Sequence, residues 1–115
     1  MERGGRFSNL EGKFTSTVYG LIRDQKYPDA IKILSYQLQL FPRNRAALSL
    51  IGYCQYYMQD FLAAAQTYEL LVKHHPEITE YKIYYAQSLL KSGMHTEANK
   101  IATQIDHPQH TQRIN

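Results

Sequence analysis

Small and apolar residues recur along the chain at a fixed interval. Alanine occurs every 34 positions at Ala30, Ala64 and Ala98, and proline occurs 34 positions apart at Pro42 and Pro76. Between these anchors, apolar residues are spaced three or four positions apart, which places them on one face of a helix. The pattern predicts no strand and six helices, near residues 11–24, 27–41, 45–58, 61–74, 79–92 and 95–105.

A period of 34 residues is that of the tetratricopeptide repeat (TPR), in which each repeat is a hairpin of two helices. We therefore predict an all-α TPR solenoid of about three repeats. No polar capping helix is visible after Ile105, and such a helix normally covers the last apolar face of an array. We interpret the chain as a fragment of a longer superhelix. The predicted segments are a flexible lead (1–10), TPR 1 (11–44), TPR 2 (45–78), a degenerate TPR 3 (79–112) and a truncated tail (113–115).

Helix-terminating residues agree with these boundaries. Pro28 suits the first turn of a helix. Backbone N–H groups there have no acceptor within the helix, so the N–H that proline lacks costs no hydrogen bond. Asn44 and Asp60 are predicted to cap the third and fourth helices with their side chains. Gly93 is placed to end the fifth helix. The outer face of the sixth helix, including Ile101 and Ile105, is expected to be uncovered and to favour self-association.

Composition and charge narrow the functional classes. The net charge is +3, but the 13 lysines and arginines are scattered instead of forming the basic stripe of a nucleic-acid-binding protein. The single cysteine, Cys54, has no internal disulfide partner, which indicates a reducing compartment. The apolar runs are too short to cross a bilayer. We therefore predict neither a nucleic-acid partner nor membrane insertion.

The chain lacks the patterns that support catalysis or metal binding. His74 and His75 are adjacent and point in different directions on a helix, whereas His107 and His110 have no further ligands nearby. Cys54 lies inside a predicted helix without a nucleophile motif around it, and the simpler interpretation is a partly buried small hydrophobe. We predict no enzyme activity, no metal or other cofactor, and no small-molecule substrate.

The first helix of each TPR hairpin lines a concave groove, and its inward positions here are aromatic and aliphatic. Tyrosine is an amphipathic anchor that loses little rotamer entropy on binding, and aromatic grooves suit extended, proline-containing peptides. Tyr53 and Tyr57, four residues apart, are the expected anchors. The alternative is that these tyrosines only pack against neighbouring repeats. The predicted peptide-binding groove consists of Tyr19, Ile22, Tyr53, Tyr56, Tyr57, Ile83, Gln87 and Leu90.

One familiar TPR function is not supported by the groove. Co-chaperone TPR domains hold an acidic peptide terminus with lysine, asparagine and arginine side chains at five positions. None of the corresponding residues in this sequence carries a positive charge. They are Thr15, Tyr19, Leu50, Glu80 and Tyr84.

Longer stretches resemble one particular family. The runs Phe14 to Asp24 and Pro42 to Cys54 are similar to the tetratricopeptide-repeat subunit of the intraflagellar transport B complex, the fleer family. The segments Phe61 to Tyr68, His75 to Glu77 and Tyr81 to Leu90 continue the likeness. The resemblance implies that the chain corresponds to the N-terminal part of such a protein.

The resemblance also implies a function. It suggests a scaffold that acts in anterograde intraflagellar transport and cilium assembly, with a link to polyglutamylation of axonemal tubulin. The implied partners are other core subunits of the B complex, especially a proline-rich segment of one. The implied location is the cilium, at the axoneme and ciliary base on the cytoplasmic side. The alternatives are a general cytoplasmic TPR adaptor and a regulatory subunit of an enzyme.

Overall fold

The fold is helical throughout the part of the chain that the structure describes. A computed structural model describes the backbone of residues 16–114 and the side chains of residues 16–105. These residues form helices packed in consecutive pairs, without strands, which confirms the predicted all-α, TPR-like fold. The predicted lead (1–10) and the start of the first helix lie outside the described residues. Within the described residues the helices are α1 (16–23), α2 (Tyr27–Leu40), α3 (Arg45–Tyr57), α4 (Phe61–His74), α5 (Thr79–Lys91) and α6 (His95–Ile114).

The helix boundaries repeat at the interval of the sequence pattern. Helices α2 and α4 begin and end 34 residues apart, and so do α3 and α5. All four lie within one residue of the predicted ranges. The assignment of residues 11–44, 45–78 and 79–112 to individual repeats stays a prediction.

The first helix of each hairpin ends in the same turn. In each case a residue with positive φ lies just beyond the end of the helix. The backbone N–H of the residue after it donates to the carbonyl oxygen five residues earlier in the chain, as in a Schellman motif. These bonds run from Lys26 to Leu21, Asp60 to Gln55 and Met94 to Leu89, over 2.7, 2.9 and 2.9 Å. The positive φ angles are 61° at Gln25, 69° at Gln59 and 88° at Gly93.

This turn predicts opposite effects for two substitutions. A β-carbon on Gly93 would meet no atom within 4 Å, so the cost of Gly93→Ala is conformational and not steric. We expect Gly93→Ala to lower the free energy of unfolding by about 1–2 kcal/mol, the cost of a left-handed residue with a side chain. Gln59→Gly should raise it by about 0.5–1 kcal/mol, because the relief of left-handed strain at this position exceeds the extra chain entropy that glycine loses on folding. Urea denaturation would measure both, and equal effects in the same direction would contradict the shared turn.

Two of the predicted helix starts are confirmed and one is wrong. Pro28 lies in the first turn of α2. The Asn44 side chain accepts a hydrogen bond from the Ala47 N–H at 3.1 Å and so caps α3. Asp60 makes no side-chain capping bond to α4. Its backbone, with φ −90° and ψ 71°, also closes the Schellman turn of α3 and departs from the extended conformation typical of a capping residue.

Helix α6 is longer than the sequence pattern predicted. It extends to Ile114, well past the expected end near Ile105, and passes through Pro108. Proline removes one backbone donor from a helix interior, so the helix lacks one N–H donor at Pro108. The residues around Pro108 include three glutamines, which form helices readily.

The chain divides into two compact units at the bond between Cys54 and Gln55, within α3. The core of the first unit is formed by side chains from α1, α2 and the first part of α3. Its buried members are 0–7% exposed: Val18, Ala30, Leu34, Ala47, Ile51 and Cys54. Partly buried residues, among them Leu21, Ile22 and Ile33, pack against this core.

The second unit contains the end of α3 with α4, α5 and α6. Ala65, Leu89 and Ala98 form a buried cluster, and Ile101 packs against it. Ile101 and Ile105 are both half-buried, so the sequence expectation of an uncovered face at these residues is wrong for Ile101. The reason is that Ile101 is directed at the other helices of its own unit.

A polar pair replaces an apolar one in this unit. Thr67 Oγ1 on α4 donates to Gln55 Oε1 at 2.6 Å, and Thr67 is only 8% exposed. At the same repeat positions, the third hairpin has Leu89 and Ile101. The hydrogen bond satisfies a hydroxyl that would otherwise be costly to bury.

Candidate peptide-binding surface

Aromatic side chains from three helices meet in the second unit. Helix α3 contributes two, α4 contributes two, and α5 contributes two. We call this set the aromatic cluster: Tyr56, Tyr57, Phe61, Tyr68, Tyr81 and Tyr84.

The inner part of the aromatic cluster is core. Tyr68 and Tyr81 are 2% and 8% exposed. The Tyr68 ring stacks on the Tyr84 ring with a centroid distance of 5.2 Å and an interplanar angle of 9°. Burial, followed by nearby Tyr84 and Glu80, raises the pKa of the Tyr68 hydroxyl. This part holds α4 against α5 and has no surface to offer a ligand.

The outer part is more open and is arranged edge-to-face. The Tyr56 ring lies edge-on to Tyr57 at 5.1 Å and to Tyr84 at 5.3 Å. The Tyr56 hydroxyl donates to Gln87 Oε1 at 2.9 Å, and the Tyr57 and Tyr84 hydroxyls share a hydrogen bond of 3.3 Å. Tyr57 remains 45% exposed. Aromatic pairs of this geometry hold each other in place, so the exposed Tyr57 ring is pre-positioned.

Helix α5 adds an exposed row next to these rings. Ile83, Gln87 and Leu90 are spaced four and three residues apart, so they share one side of the helix. Ile83 is 41% exposed and Leu90 is 49% exposed. Gln87 is also exposed, although its side-chain oxygen accepts the hydrogen bond from Tyr56. We call Tyr57, Ile83, Gln87 and Leu90 the exposed row.

The predicted groove residues divide between the two units. In the first unit, Tyr19 is 55% exposed on α1, and Tyr53 is half-buried on α3. Ile22 is half-buried and packs against the core, so part of its surface is already used. In the second unit the structure brings Tyr56, Tyr57 and Gln87 together. Ile83 and Leu90 flank Gln87 on the same helix.

The list of groove residues missed two members of this site. Tyr84 contacts Tyr56, Tyr57 and Tyr68, and Phe61 contacts Tyr56 at 5.4 Å. Tyr84 lies three residues before Gln87, one helical turn away, and this spacing was the signal that could have identified it. Phe61 is the first residue of α4, and its contact depends on the tight turn before it.

The Tyr56 hydroxyl acts as a hydrogen-bond donor within this surface. Burial, and to a lesser extent Tyr57, raises the pKa of Tyr56, so its hydroxyl stays protonated and continues to donate to Gln87. Among the described residues, no three of His, Cys, Asp and Glu come close enough together to hold a metal ion. Within the same part of the chain, none of the helices has the length and apolar character needed to cross a membrane.

Cys54 is buried in the first unit, and burial raises the pKa of its thiol to about 11. We expect the folded chain to react slowly with a disulfide reagent at pH 8, because the thiolate is the nucleophile. A raised pKa also means that Cys54 contributes stability fully below its ordinary pKa of 9.0 and loses that contribution as pH rises toward 11. Reagent kinetics with and without denaturant would test this; equal rates would contradict it.

Comparison with known proteins supplies the context for this surface. No family model matches the chain. The chain is 45% identical over 104 residues to intraflagellar transport protein 70B of Rattus norvegicus, covering 90% of this chain and 16% of that protein. It is 51% identical over 96 residues to intraflagellar transport protein 70A of Xenopus tropicalis, covering 84% and 15%. Human intraflagellar transport protein 70A is 45% identical over 105 residues.

Over these residues the chain belongs to the intraflagellar transport protein 70 family. The resemblance inferred from the sequence is thereby confirmed. The chain spans about a sixth of the length of the relatives that it matches. The names of these relatives describe transport proteins and not enzymes.

Proposed function

We propose that this chain is a protein-interaction scaffold of intraflagellar transport. The observation that carries the proposal is its identity of 43–51% to several intraflagellar transport proteins over most of its length. The proposed partners are other core subunits of the intraflagellar transport B complex. The all-helical hairpin fold supports this role, because stacked hairpins present extended binding surfaces.

The finer parts of the proposal rest on the family resemblance. They are participation in anterograde transport and cilium assembly, a link to polyglutamylation of axonemal tubulin, and a location at the axoneme and ciliary base on the cytoplasmic side. A general cytoplasmic adaptor or a regulatory subunit of an enzyme would share the fold but not these properties.

The proposed binding mode uses the predicted groove residues of the second unit, with the exposed row at its centre. An extended, proline-containing segment of a partner would lay its rings against Tyr57 and its apolar side chains against Ile83 and Leu90. Proline-rich segments are extended before binding, so they lose little entropy when they dock on aromatic side chains. The edge-to-face packing of Tyr57 on Tyr56 supports this mode, since a rigid ring is a better anchor than a mobile one.

Localisation and capture of partners in ciliated cells test the proposed function. A tagged chain should concentrate at the ciliary base, move along the axoneme and co-purify with transport B subunits. A variant with both Tyr57→Ala and Leu90→Ala should lose these partners. A matched variant, Tyr36→Ala with Leu62→Ala, should keep them, because these two residues lie on the second helices of their hairpins. Diffuse staining with only non-ciliary partners would favour the general adaptor.

A further inference from the structure

The side chain of Lys91 occupies an unusual position at the edge of the aromatic cluster. Its ammonium group lies 5.3 Å from the centroid of the Phe61 ring and 5.8 Å from that of Tyr56. Both distances fall within the roughly 6 Å at which a cation is attracted to an aromatic face. The two rings meet at an interplanar angle of 73°, so they form a corner with the ammonium beside both.

The corner is rigid, whereas its occupant is held weakly. The Tyr56 ring is fixed by edge-to-face contacts with Tyr57 and Tyr84 and by its hydrogen bond to Gln87. Lys91 is exposed, and the salt bridges of the described residues involve Arg23 with Asp24 and His75 with Glu77, so no described carboxylate pairs with it. A solvent-exposed ammonium on a flexible stem loses little when it leaves.

The end of α5 favours a cation at this place for a second reason. Lys91 is the last residue of α5, and the C-terminal end of a helix carries partial negative charge. Any cation in the corner benefits from this field. A guanidinium group would bind better than an ammonium, because it is planar, stacks on aromatic faces and is more weakly hydrated.

We propose that the corner between Tyr56 and Phe61 is a cation subsite, which Lys91 fills in the free chain and an arginine side chain of a bound partner segment takes over. The inference rests on the proposed function for the existence of a partner. It adds to that function a requirement on the partner sequence: an arginine close to the residues that contact the exposed row. Displaced Lys91 would then be free to turn into solvent.

The subsite can be tested with a small probe, without any partner protein. N-acetyl-arginine amide is titrated into the full chain while the ring-proton shifts of Tyr56 and Phe61 are followed by NMR. The neutral isostere N-acetyl-citrulline amide is the matched probe. We expect arginine amide to shift both rings and citrulline amide to leave them unchanged. Equal shifts with the two probes would overturn the proposal, because binding would then not depend on charge.

Variants of the chain test whether Lys91 occupies a cation-binding subsite or only contributes to the stability of the fold. Lys91→Met removes the resident cation and should lower the dissociation constant for arginine amide about threefold, the size of one exposed cation–π contact. Lys73→Met, at another exposed lysine of the second unit, should leave it unchanged. Adding Phe61→Leu to Lys91→Met should abolish the shift of the Tyr56 ring protons while circular dichroism shows the helices intact. A Lys91→Met chain that binds no more tightly than Lys73→Met would overturn the proposal.

The outcome distinguishes this inference from the proposed function. If arginine amide binds the corner but no transport subunit is captured from cells, the subsite stands and the proposed function fails. If transport subunits are captured while arginine amide does not shift Tyr56 and Phe61, the proposed function stands and the cation subsite is wrong. The unmodified chain offers a direct measurement: ring currents should move the Lys91 side-chain protons upfield, and Phe61→Leu should reduce this shift.

Discussion

Tyr68→Ala is expected to lower the free energy of unfolding by about 3–5 kcal/mol, the usual cost of deleting a buried aromatic ring. Tyr68 is 2% exposed, and its ring is stacked on Tyr84 and tilted against Tyr81. Removing it leaves a cavity between α4 and α5. Because small domains are stable by about 5–15 kcal/mol in total, this single change should bring the second unit close to unfolding. Urea denaturation followed by circular dichroism measures the effect.

Two further variants test whether the stability loss comes from removing the buried Tyr68 ring and not from removing any tyrosine. Tyr68→Phe keeps the stacked ring and should cost less than about 1.5 kcal/mol, as volume-conserving core changes do. Tyr57→Ala removes an exposed ring and should cost about 0.5–1.5 kcal/mol, the value of an aromatic pair. If Tyr57→Ala were as damaging as Tyr68→Ala, the whole aromatic cluster would be structural, and the exposed row would lose its role as a binding surface.

The 34-residue periodicity predicts most of this fold, because each repeat buries equivalent residues at equivalent positions. Ala30 and Ala64 are fully buried and Ala98 is 5% exposed, so the recurring alanines do mark positions in the packed core. Turn geometry repeats as well, but its residues do not. Gln25 and Gln59 adopt the left-handed conformation in which Gly93 is found, and only the third of these could be predicted from residue type.

The structure differs from the sequence-based prediction where side chains or turns make interactions that the periodic pattern does not specify. Asp60 is a common capping residue, yet its backbone closes the preceding turn and its side chain makes no capping bond. Gln55 and Thr67 occupy the repeat positions at which the next hairpin has Leu89 and Ile101. The hydrogen bond from Thr67 to Gln55 offsets the cost of burying polar groups there. A pair of this kind depends on two residues 12 positions apart, which neither position predicts alone.

The sequence could indicate residues of the candidate site, but not which of these residues form hydrogen bonds with each other. The predicted groove residues include Tyr56, Tyr57 and Gln87, and the structure brings these three side chains together. The structure adds that the Tyr56 hydroxyl and the Gln87 side chain bond to each other, so these polar groups are partly occupied within the chain. Helical periodicity places side chains on a face, but it does not determine which hydroxyl meets which amide. A partner that binds here as proposed would therefore contact mainly ring faces and apolar side chains.

The exposed row leads to the prediction with the largest expected effect on binding. Tyr57→Ala combined with Leu90→Ala should weaken binding of a proline-rich peptide from a transport B subunit by about 100-fold, or roughly 2.7 kcal/mol. Both residues are near half exposure, so their truncation removes little from the core. Binding through ring faces and aliphatic side chains should also change little between about 0.1 M and about 1 M salt, although the Debye length falls from about 10 Å to about 3 Å.

A matched control makes this test specific to one face. Tyr36→Ala combined with Leu62→Ala removes the same two residue types at similar exposure, 52% and 51% against 45% for Tyr57 and 49% for Leu90. Tyr36 and Leu62 belong to α2 and α4, the second helices of their hairpins. Calorimetric titration of the parent chain and both double variants should show a large loss of affinity only for Tyr57 with Leu90. If the control variant loses affinity equally, or if the parent chain loses its binding at high salt, the peptide does not bind on the exposed row, and the partner surface must be sought on the second helices or among the scattered basic side chains.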